Sequence, residues 1–427
     1  MHKYKFSLIT PSHSPLYLEE LYKSIVAQTY TNWEWVIFLN NGVTLADIPS
    51  NIKKDKRVTV SIKEEAELGD GVGILLGENV GYLKALAFTL GTGDILVEVD
   101  HDDMLTPDCL EELNIAFQDE EVGFVYSDNA KLKEDFIPYN TRNGWTHRKV
   151  NWEGQELVAM NAFKPSSQSL AFIWYCPDHV RAWRTSVYQD IGGHNSELSI
   201  CDDHELLIRT YLNTKFYHIP KCLYIYRYLE NGENTYLKRN AAIQTKTVEL
   251  YHHYAYQLAE RDCDLKGLMK VDLGGGIYGK PGYTTIDKEG GDIVWDLDKG
   301  IPLEDNSVGV INASHVVEHL KDPLATMKEI HRVLCHGGWA MIEVPSTDGR
   351  GAWMDPTHVS YWNENSFLYY TNKDQAQYIR NSDVRFQEFR CETHFPSDWY
   401  KSKNVPVVTA WLSCVKEEER LPHTLLI

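Results

Sequence analysis

Three carboxylates follow a single apolar segment in the first half of the sequence. The run Ile95–Val99 has the composition of a buried strand and leads directly into Asp100, Asp102 and Asp103. Open α/β sheets bind their ligands at the carboxyl ends of the strands. Adjacent carboxylates repel one another, and a hard divalent cation such as Mg²⁺ or Mn²⁺ relieves that repulsion. We therefore predict a metal site held by Asp100 and Asp102, while a solvated acidic turn before the next helix is the alternative.

The segments before this acidic run predict the sheet that positions it. Phe6–Thr10 and Trp33–Leu39 have the pattern of buried strands, and the amphipathic stretch Leu18–Ala27 between them is typical of a helix. A strand, a helix and a second strand in this order indicate a mostly parallel sheet.

The order of the segments resembles glycosyltransferase family 2 with the GT-A fold, from about residue 5 to residue 236. The resemblance rests on Phe6–His13, Ser24–Glu34, Asn79–Ala85, Asp100–Asp103 and Ile191–Arg209. It implies a nucleotide diphosphate sugar as donor and inversion at the anomeric carbon, with the metal at Asp100 and Asp102. The residues that it implies for donor binding are Thr10, Pro11, Asn40, Asn41, Lys84 and Asp100.

Two positions of this resemblance leave alternatives open. The family usually has acidic residues where Asn40 and Asn41 stand, so the nucleotide base stays undetermined, and an Asn-Gly turn is an equal alternative. Transfer also needs a carboxylate to take the proton of the acceptor hydroxyl. Asp203 is the candidate base and Asp202 the next choice, and both could instead cap the helical stretch that follows.

Two further segments of the first half suit the substrates. Arg227–Thr235 resembles a loop that closes over the donor, although Leu229 stands where the family often has a histidine. Asn140–Gln168 lacks a clear periodicity and contains aromatic and amide side chains. It is either an acceptor loop or an irregular insertion, and its notable residues are Trp145, His147, Arg148 and Trp152.

A glycine-rich turn opens the second half. Leu268–Gly279 has the pattern of a strand followed by G-x-G-x-x-G. Lys280-Pro281-Gly282 interrupts the helix that a pyrophosphate would need, and Asp287 follows Gly274 by 13 residues instead of the roughly 20 of a dinucleotide site. The spacing favours a ligand without phosphates, such as S-adenosylmethionine.

Residues from about 268 to 416 resemble a class I S-adenosylmethionine-dependent methyltransferase. The resemblance places Asp287 on the ribose diol of the cofactor, and the strand motifs Ala313–Leu320 and Glu329–Pro345 support it. One departure is Gly309, where an aspartate usually opens the fourth strand. The cofactor-binding residues that the resemblance implies are Asp272, Gly274, Gly276, Asp287, Asp296, Leu297 and His315.

Three histidines of this half have the chemistry of a site. His315 and His319 flank Glu318 in the pattern of a reversed zinc-protease motif, but the methyltransferase resemblance argues against a metal there and makes His319 structural. His358 lies in a loop that resembles the border of a methyl-acceptor pocket. It is a candidate base or acceptor-orienting residue, with a hydrogen-bonded loop residue as the alternative.

Length and composition bound these expectations. The chain has 427 residues and a formal net charge of −19, from 42 basic and 61 acidic residues. The charge disfavours binding to nucleic acid or to an anionic membrane, and no apolar run has membrane-spanning length. Eight cysteines without a Cys-x-x-Cys pair, and an N-terminus that leads straight into a strand, favour a reduced, cytoplasmic protein.

Together the motifs predict an α/β protein of two domains. We expect a GT-A domain over residues 1–236, a helical linker over 237–266 and a Rossmann-like methyltransferase domain over 267–427. The expected function is a bifunctional enzyme that transfers a sugar to a glycan or glycolipid acceptor and methylates a hydroxyl, most plausibly of the same glycan. The rival interpretations are one catalytic domain beside a binding module, and a scaffold without activity.

Overall fold

The computed structural model of the chain describes residues 3–62, 79–133, 146–228, 238–380 and 383–416. Contacts divide the chain into two compact units, residues 1–165 with 169–254 and residues 166–168 with 255–427. The division falls inside one long helix, so the limits expected from the sequence, 236 and 267, lie on either side of it. Each unit combines helices with one sheet, and the predicted α/β class is confirmed.

The sheet of the first unit is mixed. In the described part its strands run in the order β3-β2-β1-β4-β9-β6-β10-β5, and a hairpin of β7 and β8 joins it through β6. The strands are β1 Phe6–Ser12, β2 Trp33–Leu39, β3 Val58–Ile62, β4 Ile95–Glu98, β5 Met104–Leu105, β6 Val122–Leu132, β7 His147–Trp152, β8 Gln155–Met160, β9 Arg181–Arg184 and β10 Lys215–Arg227. The helices are α1 Leu18–Val26, α2 Ser50–Lys54, α3 Val80–Thr89, α4 Cys109–Ala116, α5 Ser169–Phe172, α6 Thr185–Asp190, α7 Asp202–Asn213 and the first part of α8 Asn240–Leu265.

Register explains why the polar ends of three strands share one edge. β1 is parallel to β2 and to β4, with Phe6 opposite both Trp33 and Ile95. The first residues of the three strands therefore lie side by side. Because the strands are parallel, the carboxyl ends of β1, β2 and β4 all point to the same edge of the sheet. The predicted βαβ opening is confirmed, and the acidic run after β4 lies on the ligand side of the sheet.

The segment from 140 to 168 is partly regular. Residues 147–160 form the β7–β8 hairpin, paired from His147 opposite Met160 to Trp152 opposite Gln155, so the expectation of an irregular insertion is wrong for them. Trp145 lies outside the described residues.

The second unit has a doubly wound sheet. Its strands run in the order β13-β12-β11-β14-β15-β17-β16, parallel as far as β15, with β17 antiparallel to both of its neighbours. The strands are β11 Met269–Leu273, β12 Thr284–Asp287, β13 Ile293–Val294, β14 Val308–Ser314, β15 Leu334–Pro345, β16 Arg385–His394 and β17 Val407–Val415. The remaining helices are α9 Pro323–Val333, α10 Gly351–Met354, α11 Glu364–Thr371, α12 Lys373–Ala376 and α13 Asp398–Ser402.

The unusual glycine in the fourth strand of this sheet has a packing reason. A Cβ on Gly309 would lie 2.6 Å from Sγ of Cys263 and 3.1 Å from its Cα. The last turns of α8 thus approach β14 too closely for any side chain, and an aspartate at this position would displace the helix. Among the described residues, no helix is both long and apolar enough to cross a membrane.

Candidate active sites

The carboxylates after β4 have unequal surroundings. Asp100 and Asp102 keep 37% and 22% of their side-chain surface exposed. Burial, and then the neighbouring charge of Asp100, raise the pKa of Asp102 to about 6. Asp103 is buried, and its Oδ1 accepts a hydrogen bond of 2.7 Å from the backbone N–H of Arg227. Asp100 and Asp102 therefore concentrate negative charge at an open edge, which fits a divalent cation with oxygen ligands.

Arg227 and two histidines surround this acidic turn. The guanidinium Nε of Arg227 donates to the carbonyl oxygen of Asp102 at 2.9 Å, so the end of β10 fixes the turn. The rings of His13 and His101 pack edge to face with centroids 4.5 Å apart. The rest of the expected closing loop, from residue 229 to residue 235, lies outside the described residues.

A buried cluster of charges lies directly behind the turn. Glu98, the last residue of β4, is fully buried. Its Oε1 is 2.6 Å from Nζ of Lys84, and its Oε2 is 3.6 Å from Nη1 of Arg181. Burial opposes ionisation, but Lys84 and Arg181 together hold the pKa of Glu98 well below its usual range. Glu98 is therefore a permanent anion that orients two buried cations.

Asp202 and Asp203 begin α7 and contact these two cations. Asp203 accepts a hydrogen bond of 2.9 Å from Nη1 of Arg181, whereas Oδ2 of Asp202 is 3.6 Å from Nζ of Lys84. Against the effect of burial, Arg181 lowers the pKa of Asp203. Burial raises the pKa of Asp202 to about 6. Glu98, Asp202 and Asp203 share only two cations here. Ionisation of all three carboxylates would leave one buried negative charge without a partner, and this opposes the ionisation of Asp202.

Accessibility separates the same pair. The Asp203 side chain keeps 18% of its surface exposed, and the Asp202 side chain keeps 5%. A general base must reach the proton that it removes, and geometry takes precedence over pKa in that choice. The arrangement favours Asp203 as the group that meets an acceptor and Asp202 as an internal partner of Lys84.

A close helix contact brings Lys84 to this cluster. Gly81, one turn before Lys84 on α3, donates its N–H to the carbonyl of Leu198 at 3.0 Å. A Cβ on Gly81 would lie 2.3 Å from the carbonyl oxygen of Asn195. Only glycine allows α3 to pack this closely against the segment that leads into α7.

The residues expected to bind the nucleotide have different surroundings, from the buried core to an exposed turn. The hydroxyl of Thr10 is buried and accepts a hydrogen bond of 2.9 Å from Nε1 of Trp35, so its side chain is committed to the core. Pro11 is partly buried at the end of β1. Asn40 directly follows β2, and Asn41 and Gly42 have φ angles of 53° and 82°, which is the turn named as the alternative. Lys84 is occupied by the buried carboxylates.

In the second unit, one aspartate shapes the glycine loop. Oδ2 of Asp272 accepts from the backbone N–H of Lys280 at 2.7 Å, and Oδ1 accepts from Nδ2 of Asn312 at 2.7 Å. A Cβ on Gly275 would lie 2.3 Å from the same Oδ2. Both carboxylate oxygens accept hydrogen bonds within the protein. Asp272 would therefore contribute to ligand binding indirectly, by fixing the conformation of the glycine loop.

The loop itself forms a cradle that a side chain would fill. Gly274 and Gly276 have φ angles of 74° and 54°, and a Cβ on Gly274 would lie 2.5 Å from Cγ2 of Val316. The 3₁₀ turn Gly276–Tyr278 stands in place of a pyrophosphate-binding helix. The cradle fits the adenosyl and methionine parts of S-adenosylmethionine.

Acidic residues follow the next two strands at the same edge. Asp287 ends β12, its Oδ1 accepts from the N–H of Glu289 at 2.9 Å, and its Oδ2 lies 3.6 Å from the Cβ position of Gly276. Asp296 caps the 3₁₀ helix Leu297–Lys299, and Leu297 packs against the core of the unit. Of these predicted cofactor residues, Asp287 lies against the glycine loop at Gly276.

The three histidines after β14 and β15 also converge. Nδ1 of His315 is 3.6 Å from Glu318 Oε1 and its Nε2 is 3.4 Å from Glu343 Oε1, and these two carboxylates raise the pKa of His315 to about 9. The ring of His358 is 7% exposed and its Nδ1 is 3.0 Å from the carbonyl oxygen of Ala352. Glu318, His319 and His358 each place one potential ligand atom within 4.8 Å of the others.

Sequence reasoning missed the partners that tertiary contacts bring to the first site. Arg181 is buried and contacts Asp203, and His179 stacks on Tyr224 with Nε2 4.0 Å from Asp100 Oδ2. A glutamate inside an apolar strand, as at Glu98, is the sequence signal that announces a buried cation. It does not say which residue supplies that cation.

Two family models match the chain. Residues 7–171 match the model described as glycosyl transferase family 2, and residues 287–342 match the model described as a methyltransferase domain. The chain carries a family 2 glycosyl transferase domain and a methyltransferase domain. Both resemblances drawn from the motifs are confirmed, and the two units have the GT-A-like and methyltransferase folds expected of them.

Curated relatives match part of the chain. Protein y4gI of Sinorhizobium fredii, described as uncharacterised, is 23% identical over 230 residues, which are 52% of this chain and 22% of that protein. The O-antigen biosynthesis protein RfbC of Myxococcus xanthus is 23% identical over 248 residues, 56% of this chain and 17% of that protein. The chain therefore spans about a fifth of the length of these relatives.

Solved structures with similarity include a mannosyltransferase from Pyrobaculum calidifontis in complex with GDP-Man and Mn²⁺. It is 16% identical, with a TM-score of 0.41, over 62% of this chain and 74% of that one. The fold assignment rests on the family models and the strand order.

Proposed function

We propose that the chain is a bifunctional inverting glycosyltransferase and methyltransferase. The observation that carries the proposal is that each sheet bears charged or glycine-rich ligand residues at the carboxyl ends of its parallel strands, which is where such folds act on ligands. The first unit would transfer a sugar from a nucleotide diphosphate sugar to a glycan or glycolipid. The second would methylate a hydroxyl, in our proposal one of the same glycan.

In the first unit, the side chains divide the work of transfer. Asp100 and Asp102 would hold Mg²⁺ or Mn²⁺, which when bound supplies positive charge to a diphosphate leaving group. Asp203 takes the proton of the acceptor hydroxyl, and Arg181 keeps that carboxylate ionised and oriented. Asp202 and Glu98 hold Lys84 in place behind the donor.

In the second unit, the glycine loop and Asp287 would hold S-adenosylmethionine, which supplies the methyl group. An exposed aromatic pair suits a glycan acceptor beside it: the rings of Trp353 and Tyr361 stack with centroids 4.4 Å apart and planes 21° from parallel. Trp353 is 59% and Tyr361 48% exposed. Flat aromatic faces of this kind bind apolar surfaces, such as the face of a sugar ring. His358, a few residues away in sequence, would help to place the acceptor hydroxyl.

Tethering favours a shared acceptor, because the product of one domain stays at high effective concentration near the other. The cellular setting that we propose is the cytoplasm, since all eight cysteines are free thiols. The net charge of −19 gives no support to a nucleic-acid substrate.

Mass spectrometry of a glycan acceptor incubated with a nucleotide-sugar panel, a divalent cation and S-adenosylmethionine tests the proposal. The wild-type chain should add one sugar and one methyl group, Asp287→Ala should add the sugar alone, and Asp102→Ala should add neither if methylation follows glycosylation. Asp203→Asn should keep donor affinity while turnover falls by about 10²–10⁴-fold. A methyl group on a protein, a nucleic acid or a small metabolite would contradict the shared acceptor.

The alternative is one catalytic domain beside a binding module. It predicts that one cofactor binds tightly without turnover, and that the matching variant changes no product. Asp202→Asn is the matched comparison for Asp203→Asn, because it removes the adjacent carboxylate that is less accessible. If only Asp202→Asn loses turnover, the base is Asp202.

A further inference from the structure

Glu318, His319 and His358 form a compact group at the ligand edge of the second sheet. Glu318 and His319 come from the 3₁₀ turn Val317–His319 after β14, and His358 comes from the loop after α10. One potential ligand atom of each residue lies within 4.8 Å of the other two, and Nε2 of His358 is 4.0 Å from Oε1 of Glu318. Two imidazoles and one carboxylate are a donor set of divalent transition metals, and three protein ligands leave coordination positions open.

The carboxylate of Glu318 is buried without a hydrogen bond. Glu318 is 2% exposed, and neither of its oxygens has a hydrogen-bond partner. The nearest ring nitrogen, Nδ1 of His315, is 3.6 Å away, which is beyond normal hydrogen-bond length. A buried carboxylate is costly unless a cation approaches it. His315 approaches Oε1 from one side as an ion-pair partner without hydrogen-bond contact, and neither oxygen of Glu318 is hydrogen-bonded, so the carboxylate can also bind a second cation.

The same ring nitrogen, Nδ1, is hydrogen-bonded outside the group in both histidines. Nδ1 of His358 lies 3.0 Å from the carbonyl oxygen of Ala352 and must donate to it. Nδ1 of His319 lies 3.2 Å from the carbonyl oxygen of Thr357 and 3.1 Å from its hydroxyl, and that hydroxyl already donates to Asp355 at 2.7 Å. In both rings Nδ1 therefore carries the proton and Nε2 keeps its lone pair. Backbone acceptors orient metal-binding histidines in this way.

Main-chain bonds hold the two contributing segments together. The N–H groups of Val359 and Ser360 donate to the carbonyl oxygen of Glu318 at 2.9 and 3.0 Å, and the hydroxyl of Ser360 donates to the carbonyl of Val317 at 2.9 Å. The loop that carries His358 is thus fixed to the turn that carries Glu318. A group whose geometry is held by its supporting residues in this way is suited to bind a ligand specifically.

We propose that Glu318, His319 and His358 bind one divalent transition metal. Metal bonds of about 2.0–2.1 Å in a tetrahedral site place ligand atoms roughly 3.3 Å apart, so the three side chains close by roughly 1 Å. The nitrogen ligands select Zn²⁺ or Co²⁺ over Mg²⁺. Val316, which packs on the glycine loop at Gly274, is two residues from Glu318, so the metal lies close to the cofactor cradle. Its open positions would bind an acceptor oxygen, and this use alone rests on the proposed function.

A metal-free hydrogen bond between Glu318 and His358 explains the arrangement of these residues less well. The 4.0 Å between Glu318 and Nε2 of His358 is not a hydrogen bond, and the proton of each histidine is already engaged at Nδ1. A shared cation satisfies the carboxylate and both lone pairs at once.

Equilibrium dialysis of the purified full-length chain against Zn²⁺, Co²⁺, Mn²⁺ and Mg²⁺ tests the site without any substrate. The measurement uses the Asp102→Ala background, which removes the cation expected in the first unit. One equivalent of Zn²⁺ or Co²⁺ should be retained, and bound Co²⁺ should show the visible absorption of a site with nitrogen ligands. Glu318→Gln, which preserves shape, should weaken binding by at least about 100-fold, and His319→Ala and His358→Ala by similar factors, since each removes a direct ligand.

His253→Ala is the matched control, because His253 is exposed on α8 and lies outside the group. It should leave both stoichiometry and affinity unchanged. Each variant is checked for an unchanged thermal midpoint and for S-adenosylmethionine binding. If a variant does not fold, Thr357→Val replaces it and should weaken binding by up to about 10-fold, because it removes the hydroxyl contact with Nδ1 of His319 and keeps the contact with the carbonyl oxygen. Retention of the metal by folded Glu318→Gln, or a preference for Mg²⁺, would overturn the proposal, whether or not the chain methylates any acceptor.

Discussion

The two candidate sites lie at corresponding edges of their sheets but manage polarity in opposite ways. The first gathers formal charges: Glu98, Asp202 and Asp203 face Lys84 and Arg181 in a buried group. The second depends on backbone conformation and on the absence of side chains. Gly274 and Gly276 adopt positive φ angles, and a Cβ there would meet Val316 or enter the expected ligand space. A nucleotide diphosphate needs charge, whereas a sulfonium cofactor needs close backbone approach.

The comparison shows where each site is vulnerable. Removing one charge from a balanced buried group leaves its partner unpaired, which costs more than the pair contributed. A glycine loop tolerates changes of charge nearby, but its ligand binding is lost when a side chain is added to one of its glycines. Charge substitutions should therefore damage the stability of the first unit, and steric substitutions should damage ligand binding in the second.

The largest effect is expected at Glu98. Glu98→Gln leaves the buried Lys84 and Arg181 with one carboxylate fewer, and should lower the free energy of unfolding of the first unit by about 3–5 kcal/mol. Chemical denaturation followed by a spectroscopic signal of that unit measures the change. The same substitution at Glu120, which pairs with Lys3 at the surface, should cost at most about 0.5 kcal/mol. Equal losses in the two variants would contradict the role assigned to the cluster.

A smaller effect, on cofactor affinity, is expected from Gly274→Ala. The new Cβ adds strain of about 1–3 kcal/mol for its positive φ angle and an overlap with Val316, so calorimetry should show S-adenosylmethionine binding weakened by at least about 10-fold. Gly282→Ala is the matched control, because Gly282 has a φ angle of 81° and open space around its Cβ position. If both variants bind the cofactor equally, steric closeness at Gly274 does not govern this site.

The smallest effect concerns the pH dependence of stability. The pKa of Asp202 is raised to about 6 in the folded chain, so the folded state keeps a proton that the unfolded state has lost. Stability is therefore gained as pH falls through about 6, and ionisation penalises the fold above it. The Asp202→Asn variant has no ionisable group at this position and lacks this pH-dependent contribution to stability. The difference in unfolding free energy between wild type and variant should change by about 1–2 kcal/mol between about pH 7.5 and pH 5, in favour of the wild type at low pH. A constant difference across this range would contradict the raised pKa.

The sequence determined the class and order of the elements because these depend on local patterns. The apolar runs Phe6–Thr10 and Ile95–Val99, and the glycines after Leu273, each predict a strand or turn from neighbouring residues alone. Parallel strands then bring their carboxyl ends to one edge, and this places Asp100, Asp102 and Asp287 at the carboxyl edges of the two sheets. The family models agree with both halves.

Tertiary structure decided which side chains meet, because residues far apart in sequence share no local signal. Lys84, Arg181 and Asp203 converge on Glu98 from three separate elements, and only their arrangement makes Asp202 hard to ionise and keeps Asp203 charged. Thr10 has its hydroxyl committed to Trp35, which an alternating strand pattern does not reveal. His358 joins Glu318 and His319, from which it is separated by 40 and 39 positions in the sequence, through a loop whose path depends on main-chain hydrogen bonds. The sequence thus indicated the candidate residues, and packing determined which partners they contact and the direction in which their pKa values shift.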